Sequence, residues 1–247
     1  MLTLATVTPG EPEIFASIQG EGRSAGKECT FIRLSRCNLA CVWCDTAYTW
    51  HFDGDARPHR DGVTYDRAEE QVVLTEEQAA GRILALGQDR LVITGGEPIL
   101  QAPALARMLA LLRIEIPGIF VEIETNGTVR PPPALDRFVG QYNVSPKLAH
   151  SGNAAELALP PERLAEWVDN LRAWFKFVVA SEADAREALA LAEVHAIPRE
   201  RILLMPEGTV ASVLHAREEW LEPFCEAHGL TMSRRLHIEM FGDTRGT

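Results

Sequence analysis

Short apolar runs recur along the chain, and the stretches between them carry apolar residues at helical spacing. Runs of strand length fall at residues 30–35, 90–94, 119–124, 141–144, 174–179 and 201–205. Residues 75–86, 104–112, 182–195 and 210–228 are rich in Ala, Leu and Glu and read as helices. Thr75 followed by Gln78 forms a capping box that marks the start of the first of these. Strand alternating with helix implies parallel strands joined by crossovers, hence an α/β fold built as a partial or modified (βα)6 barrel. A chain of 247 residues suits one such domain. The 50–74 segment, with His51, Asp53, Asp55, His59 and Asp61 among glycines, interrupts the pattern and reads as an insertion or a lid rather than a second metal site.

In a parallel sheet, ligands sit at the carboxyl ends of the strands. There the chain places Thr94-Gly95-Gly96-Glu97-Pro98, Glu124-Thr125-Asn126-Gly127, Ser145-Pro146-Lys147 and Pro206-Glu207-Gly208. Taken singly, each is also an ordinary turn composition. Alternation along the first run puts Ile32 and Leu34 on one face and Phe31, Arg33 and Ser35 on the other. A guanidinium inside a barrel needs an anion, either a planar carboxylate ligand or an internal partner such as Glu122 or Glu124. Lys176 alternates against Phe175 and Phe177 and projects inward, with no role assigned.

The net charge of −11 opposes a nucleic-acid backbone and favours a small-molecule substrate. No apolar stretch approaches the roughly 20 residues that span a bilayer, and residues 1–13 show no basic region followed by an apolar core, so a cytoplasmic location is expected, without a membrane partner. Three of the five cysteines, Cys37, Cys41 and Cys44, crowd together directly after the first run. That pattern argues for metal rather than a disulfide framework, and Cys29 and Cys225 stand alone as small packing residues. A zinc site would need a fourth ligand from Cys29, Asp45, His51 or Cys225, none at a usual paired spacing. Three close thiolates without a fourth suggest an iron left open to a small ligand.

Cys-x3-Cys-x2-Cys after the first barrel strand, followed by Thr94-Gly95-Gly96-Glu97-Pro98, resembles the radical S-adenosylmethionine enzymes. The resemblance implies one 4Fe-4S cluster on Cys37, Cys41 and Cys44, with S-adenosylmethionine chelating the fourth iron and the cluster's electron breaking a carbon–sulfur bond. It also implies that glycine backbone approaches the methionine moiety at Gly96. Ser17-Ile18-Gln19-Gly20-Glu21-Gly22, Thr30-Phe31-Ile32-Arg33-Leu34 and the Asp45-Thr46 pair after Cys44 are similar to the 7-carboxy-7-deazaguanine synthase family, over about residues 13–147. That family converts 6-carboxy-5,6,7,8-tetrahydropterin to 7-carboxy-7-deazaguanine and ammonia, a carbon–nitrogen lyase reaction in 7-deazapurine (queuosine-type) biosynthesis.

Carried onto this sequence, the resemblance implies that Ile18, Gln19 and Gly20 line the substrate site, largely through backbone groups. Arg33 meets the substrate carboxylate and Thr94 reaches the substrate, while Thr46 supplies a hydroxyl to Mg2+. Trp43, Cys44, Asp45, Gly96, Ser145, Pro146 and Lys147 contact the cofactor. Glu21 and Glu124 are the candidate general bases. A homodimer and an electron donor such as flavodoxin or ferredoxin are expected on the same ground. The rival readings are an activase that makes a glycyl radical on a partner, which should carry further cysteine clusters, and a non-enzymatic zinc-binding module, which requires four protein ligands.

Overall fold

The computed structural model describes residues 1–247. The N-terminal part supplies β1 (Leu2–Thr8), β2 (Glu11–Pro12), β3 (Ile14–Ile18) and β4 (Glu28–Leu34). After the cysteine loop come α1 (Arg67–Glu70), β5 (Gln71–Leu74), α2 (Glu76–Ala85), β6 (Arg90–Gly95), α3 (Ala102–Glu115) and β7 (Phe120–Thr125). They are followed by α4 (Pro133–Asp136), β8 (Gln141–Val144), α5 (Ala155–Ala158), α6 (Pro161–Asp169), β9 (Ala173–Val179) and α7 (Glu182–Val194). The chain finishes with β10 (Ile202–Pro206), α8 (Ala211–His228), β11 (Thr231–Met232) and α9 (Leu236–Phe241).

All strands join one sheet of order β11-β10-β9-β8-β7-β6-β4-β1-β2, with β3 added on β4 and β5 on β1. From β4 through β6 to β10 every pairing is parallel, as the strand and helix alternation requires. The two ends of the order do not meet, so the barrel is partial. Antiparallel β1 and β3 flank β4, pairing at Leu4↔Leu34 and Ile14↔Ile32. β1 is not anticipated from the sequence, although Leu2-Thr3-Leu4 alternates; its residues Leu2 to Thr6 are all buried.

The period of two separates the sheet into a dry apolar face and a polar inner face. Ile32 and Leu34, Val121 and Ile123, Tyr142 and Val144, and Phe175 and Phe177 are fully buried in one core cluster beneath the crossover helices. The alternate positions carry Arg33, Glu122, Glu124, Asn143 and Lys176. Arg90 pairs with Glu122, and Gln141 donates to Asn143 and Glu122. Such charges persist inside only because each has a partner.

Of the 50–74 segment, read as an insertion or a lid, Trp50 alone lines the cavity at the strand ends. The segment's second part forms α1 and β5, and β5 extends the sheet on β1. Its first part backs the cysteine loop: His59 Nε2 lies 2.9 Å from the Cys44 carbonyl, and Arg60 N donates to the Val42 carbonyl at 2.8 Å. Both ring nitrogens of His51 face the backbone carbonyls of Val63 and Arg57, which leaves that histidine no metal-binding role. No helix is long and apolar enough to cross a membrane.

The capping box is present, with Thr75 Oγ accepting from Gln78 N and Gln78 Oε1 accepting from Thr75 N. Thr75→Ala should therefore cost about 1 kcal/mol in denaturant unfolding. Emptying the core with Phe177→Ala should cost about 3–5 kcal/mol. Equal losses at the two positions would mean that the core does not dominate stability.

Candidate active site

The cysteines leave β4 on a loop whose path is set by main-chain contacts. Ser35 N donates to the Thr3 carbonyl and Arg36 N to the Thr49 carbonyl, and Arg36 adopts a positive φ of 80°. Gly96 N and Glu97 N donate to the Leu34 and Arg36 carbonyls. A Cβ on Gly95 would lie 1.9 Å from the Leu34 oxygen, and one on Gly96 2.0 Å from the Arg36 oxygen. The glycine pair is thus demanded by the close passage of β6 against the exit of β4, a protein–protein contact in addition to any ligand approach. Glu97, fully buried, accepts from Thr125 Oγ and from the Asn126 and Ile99 amides, tying the loops after β6 and β7 together. Burial outweighs these donors and the Lys147 cation and pushes its carboxyl up to about 7.

Asn153 Nδ2 lies 3.2 Å from Cys41 Sγ, while its Oδ1 accepts from Ala40 N, so one side chain positions both the loop and a sulfur. Burial raises all three thiols, Cys37 to about 12 and Cys44 to about 11, so a metal must displace their protons to bind. A tetrahedral zinc site would need a fourth protein ligand beside these three sulfurs. The candidate fourth ligands are committed elsewhere: Asp45 to Arg235, His51 to backbone, and Cys29 and Cys225 to the interior of β4 and α8. Three thiolates with no fourth protein ligand fit an iron–sulfur cluster with one open corner.

Beside the sulfurs lies a cavity whose charges hold one another. Lys176 Nζ lies between Glu21 (2.7 Å) and Glu124 (2.8 Å), and Arg235 bridges Glu21 and Asp45. Burial alone would raise Glu21, but Lys176 and Arg235 outweigh it and hold this carboxyl well below the ordinary range. Burial wins at Glu124, which stays raised although Lys176 opposes it. Arg33 Nε donates to Glu13 Oε1 at 2.7 Å, and Tyr48 OH donates to the other Glu13 oxygen at 2.9 Å. The internal partner of Arg33 is therefore Glu13, not Glu122 or Glu124. This pairing uses only Nε, and the terminal nitrogens of this cavity-lining residue make no hydrogen bond within the chain.

Every anticipated site residue except Pro146 lines that cavity: Ile18, Gln19, Gly20, Glu21, Arg33, Cys37, Cys41, Trp43, Cys44, Asp45, Thr46, Thr94, Gly96, Glu124, Ser145 and Lys147. Two details differ. Gln19 N and O are bonded to Lys27 and Gly26, and the Gly20 carbonyl accepts from Leu236 N. The backbone there serves the fold, and it is the Gln19 side chain, 3.3 Å from Glu124, that faces the site. Gly20 is glycine because a Cβ would lie 2.2 Å from His237 Nδ1. The C-terminal segment is what sequence reasoning missed: Arg235, His237, Ile238 and residues 242–245 and 247 also line the cavity. The only sequence signal was an Arg-Leu-His triplet in a polar tail, which has no periodicity to place it.

Residues 31–149 match the radical SAM superfamily. The chain is 35% identical to the 7-carboxy-7-deazaguanine synthase of Pyrobaculum aerophilum, over 95% of each chain. It is 37% identical to the synthase of the same name from Hyperthermus butylicus, over 78% of this chain and 75% of that one. The crystal structure of QueE from Escherichia coli superimposes with a TM-score of 0.60 at 26% identity, covering 94% of this chain and 93% of that one.

Lys176→Met should remove the cation between two buried carboxylates and cost about 3–5 kcal/mol at neutral pH. In the native protein Glu21 is depressed, so its contribution is present above the ordinary carboxylate pKa and is lost as pH falls through its lowered value. Without Lys176 the paired carboxylates favour the protonated form, and the variant's deficit should shrink as pH is lowered from 7 to 5. Denaturant midpoints at both pH values decide this, and a deficit that does not change with pH would contradict the pairing.

Proposed function

Because the chain belongs to the 7-carboxy-7-deazaguanine synthase family of radical SAM enzymes, we propose that it converts 6-carboxy-5,6,7,8-tetrahydropterin to 7-carboxy-7-deazaguanine with release of ammonia, a carbon–nitrogen lyase reaction in queuosine-type 7-deazapurine biosynthesis. The observation that carries the substrate assignment is Arg33, a pocket guanidinium fixed through Nε by Glu13 with its terminal nitrogens uncommitted. That is the arrangement a bidentate carboxylate fits.

Cys37, Cys41 and Cys44 hold the 4Fe-4S cluster, and Trp43, Asp45, Gly96, Ser145 and Lys147 surround the S-adenosylmethionine position. Pro146 helps only through its neighbours. When bound, cluster and cofactor together supply the hydrogen-atom abstraction that starts the ring contraction. The chain's own residues orient the pterin and handle its protons. Lys147 Nζ donates to Ser145 Oγ at 2.7 Å and lies 5.7 Å from the Trp43 ring centre, closing the cofactor side of the cavity. Gln19 and Glu124 offer an acceptor-rich wall to the amino-pyrimidine edge of the substrate, with Ile18 and Thr94 beside it.

For the closing deprotonation, Glu124 is the better base. Its raised pKa gives it a basicity that Glu21, stabilised as an anion by two cations, lacks. Thr46, whose Oγ1 lies 3.6 Å from Cys44 Sγ, is the protein oxygen available to Mg2+, an ion that retains waters and needs few protein ligands. An electron donor of the flavodoxin or ferredoxin kind, a homodimer and a cytoplasmic location complete the proposal.

Anaerobic, cluster-loaded protein incubated with the pterin, S-adenosylmethionine, Mg2+ and reductant should yield 7-carboxy-7-deazaguanine and one ammonia. Formation of 5'-deoxyadenosine with the pterin untouched would leave the class and refute the substrate. Arg33→Lys keeps a cation beside Glu13 but loses the fork, and should raise KM for the pterin by roughly 10- to 100-fold, the worth of a charged bidentate contact. Cluster absorbance should be unchanged. Loss of the brown colour in that variant would make Arg33 a structural residue.

A further inference from the structure

Away from the cavity, His215 and Glu218 stand one turn apart on α8, and Glu239 projects from α9 toward them. One imidazole nitrogen and one oxygen from each carboxylate lie within 4.8 Å of one another. Clustered acidic groups on a surface are commonplace, but Glu218 is not on the surface. It is 8% exposed, and its Oε1 is buried with no hydrogen-bond partner. A buried carboxylate oxygen with no donor costs free energy that some ligand ordinarily offsets. The neighbouring cations are spent elsewhere, Arg217 on Glu207 and Arg235 on Glu21 and Asp45.

We infer that His215, Glu218 and Glu239 form a binding site for one divalent transition-metal cation that staples α9 to α8. Two carboxylates supply the charge that a divalent ion neutralises. The imidazole selects zinc-like ions over Mg2+, which takes oxygen ligands. Zinc bonds of about 2.0–2.2 Å to nitrogen and oxygen would place these ligand atoms about 3–3.6 Å apart, a short closure from the spacing found. The exposure of His215 and Glu239 leaves an entry path and room for water in the remaining positions. The consequence is structural. α9 follows Arg235 and carries His237 and Ile238 into the cavity wall, so an ion between α8 and α9 holds that wall in place.

The test uses cluster-replete protein, so that the three cysteines are already filled. It is dialysed anaerobically against micromolar Zn2+, and zinc and iron are counted per chain. One zinc per chain is expected in the native protein and its loss in the double variant His215→Ala/Glu239→Gln, with iron content and zinc-free turnover unchanged in both. Both substituted residues are exposed, so folding is retained. Amide exchange across residues 236–241 should slow on zinc addition in the native protein only. Equal zinc in native protein and variant, or none in either, overturns the site. Zinc uptake without slower exchange overturns the staple.

Discussion

A charge inside a protein must be paired, and the inner face of this sheet carries enough charges for that rule to organise the site. Lys176 on β9, Glu124 on β7 and Glu21 beyond β3 form one buried lattice, and Arg235 extends it to Asp45 in the cysteine loop. Glu21 and Arg235 are 214 residues apart in sequence. Closing the lattice therefore requires the N-terminal hairpin, the central strands and the C-terminal segment to assemble around the same cavity. Each member depends on the others, because removing one partner leaves an uncompensated charge in a dry setting.

The same lattice positions chemistry. Asp45 lies next to Cys44, so the pull of Arg235 on that carboxylate fixes the end of the cysteine loop. The β4 to β6 contact fixes its beginning, where Gly95 and Gly96 allow the strands to pass at backbone distance. With both ends held, the loop presents its three sulfurs to the cavity. Arg33 differs from Arg235, because its anion occupies only one of its three nitrogens.

The parallel core was legible in the sequence because each of its strands alternates or runs apolar between clear turn signals. Residues 141–144 and the inward projection of Lys176 emerged from that pattern alone. The family resemblance rested on the cysteine spacing and the Ile18-Gln19-Gly20-Glu21 segment, both local, and membership in that family bears it out. What was not legible depends on contacts distant in sequence. The Glu13 partner of Arg33 is set by the antiparallel pairing of β3 with β4, and nothing around Glu13 announces it. The role of Arg235 and His237 depends on where a six-residue helix docks. The 50–74 segment reads from composition as an insertion or a lid, and its contacts with the backbone of the cysteine loop depend on pairings such as His59 with the Cys44 carbonyl that composition does not announce.

The central claim is that three protein sulfurs hold the cluster and leave one iron to the cofactor. Electron–nuclear double resonance on the reduced cluster, with S-adenosylmethionine labelled with nitrogen-15 in its amino group and oxygen-17 in its carboxylate, measures this directly. Hyperfine coupling from both labels to the cluster is the expected result. An unshifted spectrum, with a protein side chain occupying the fourth iron, would contradict it.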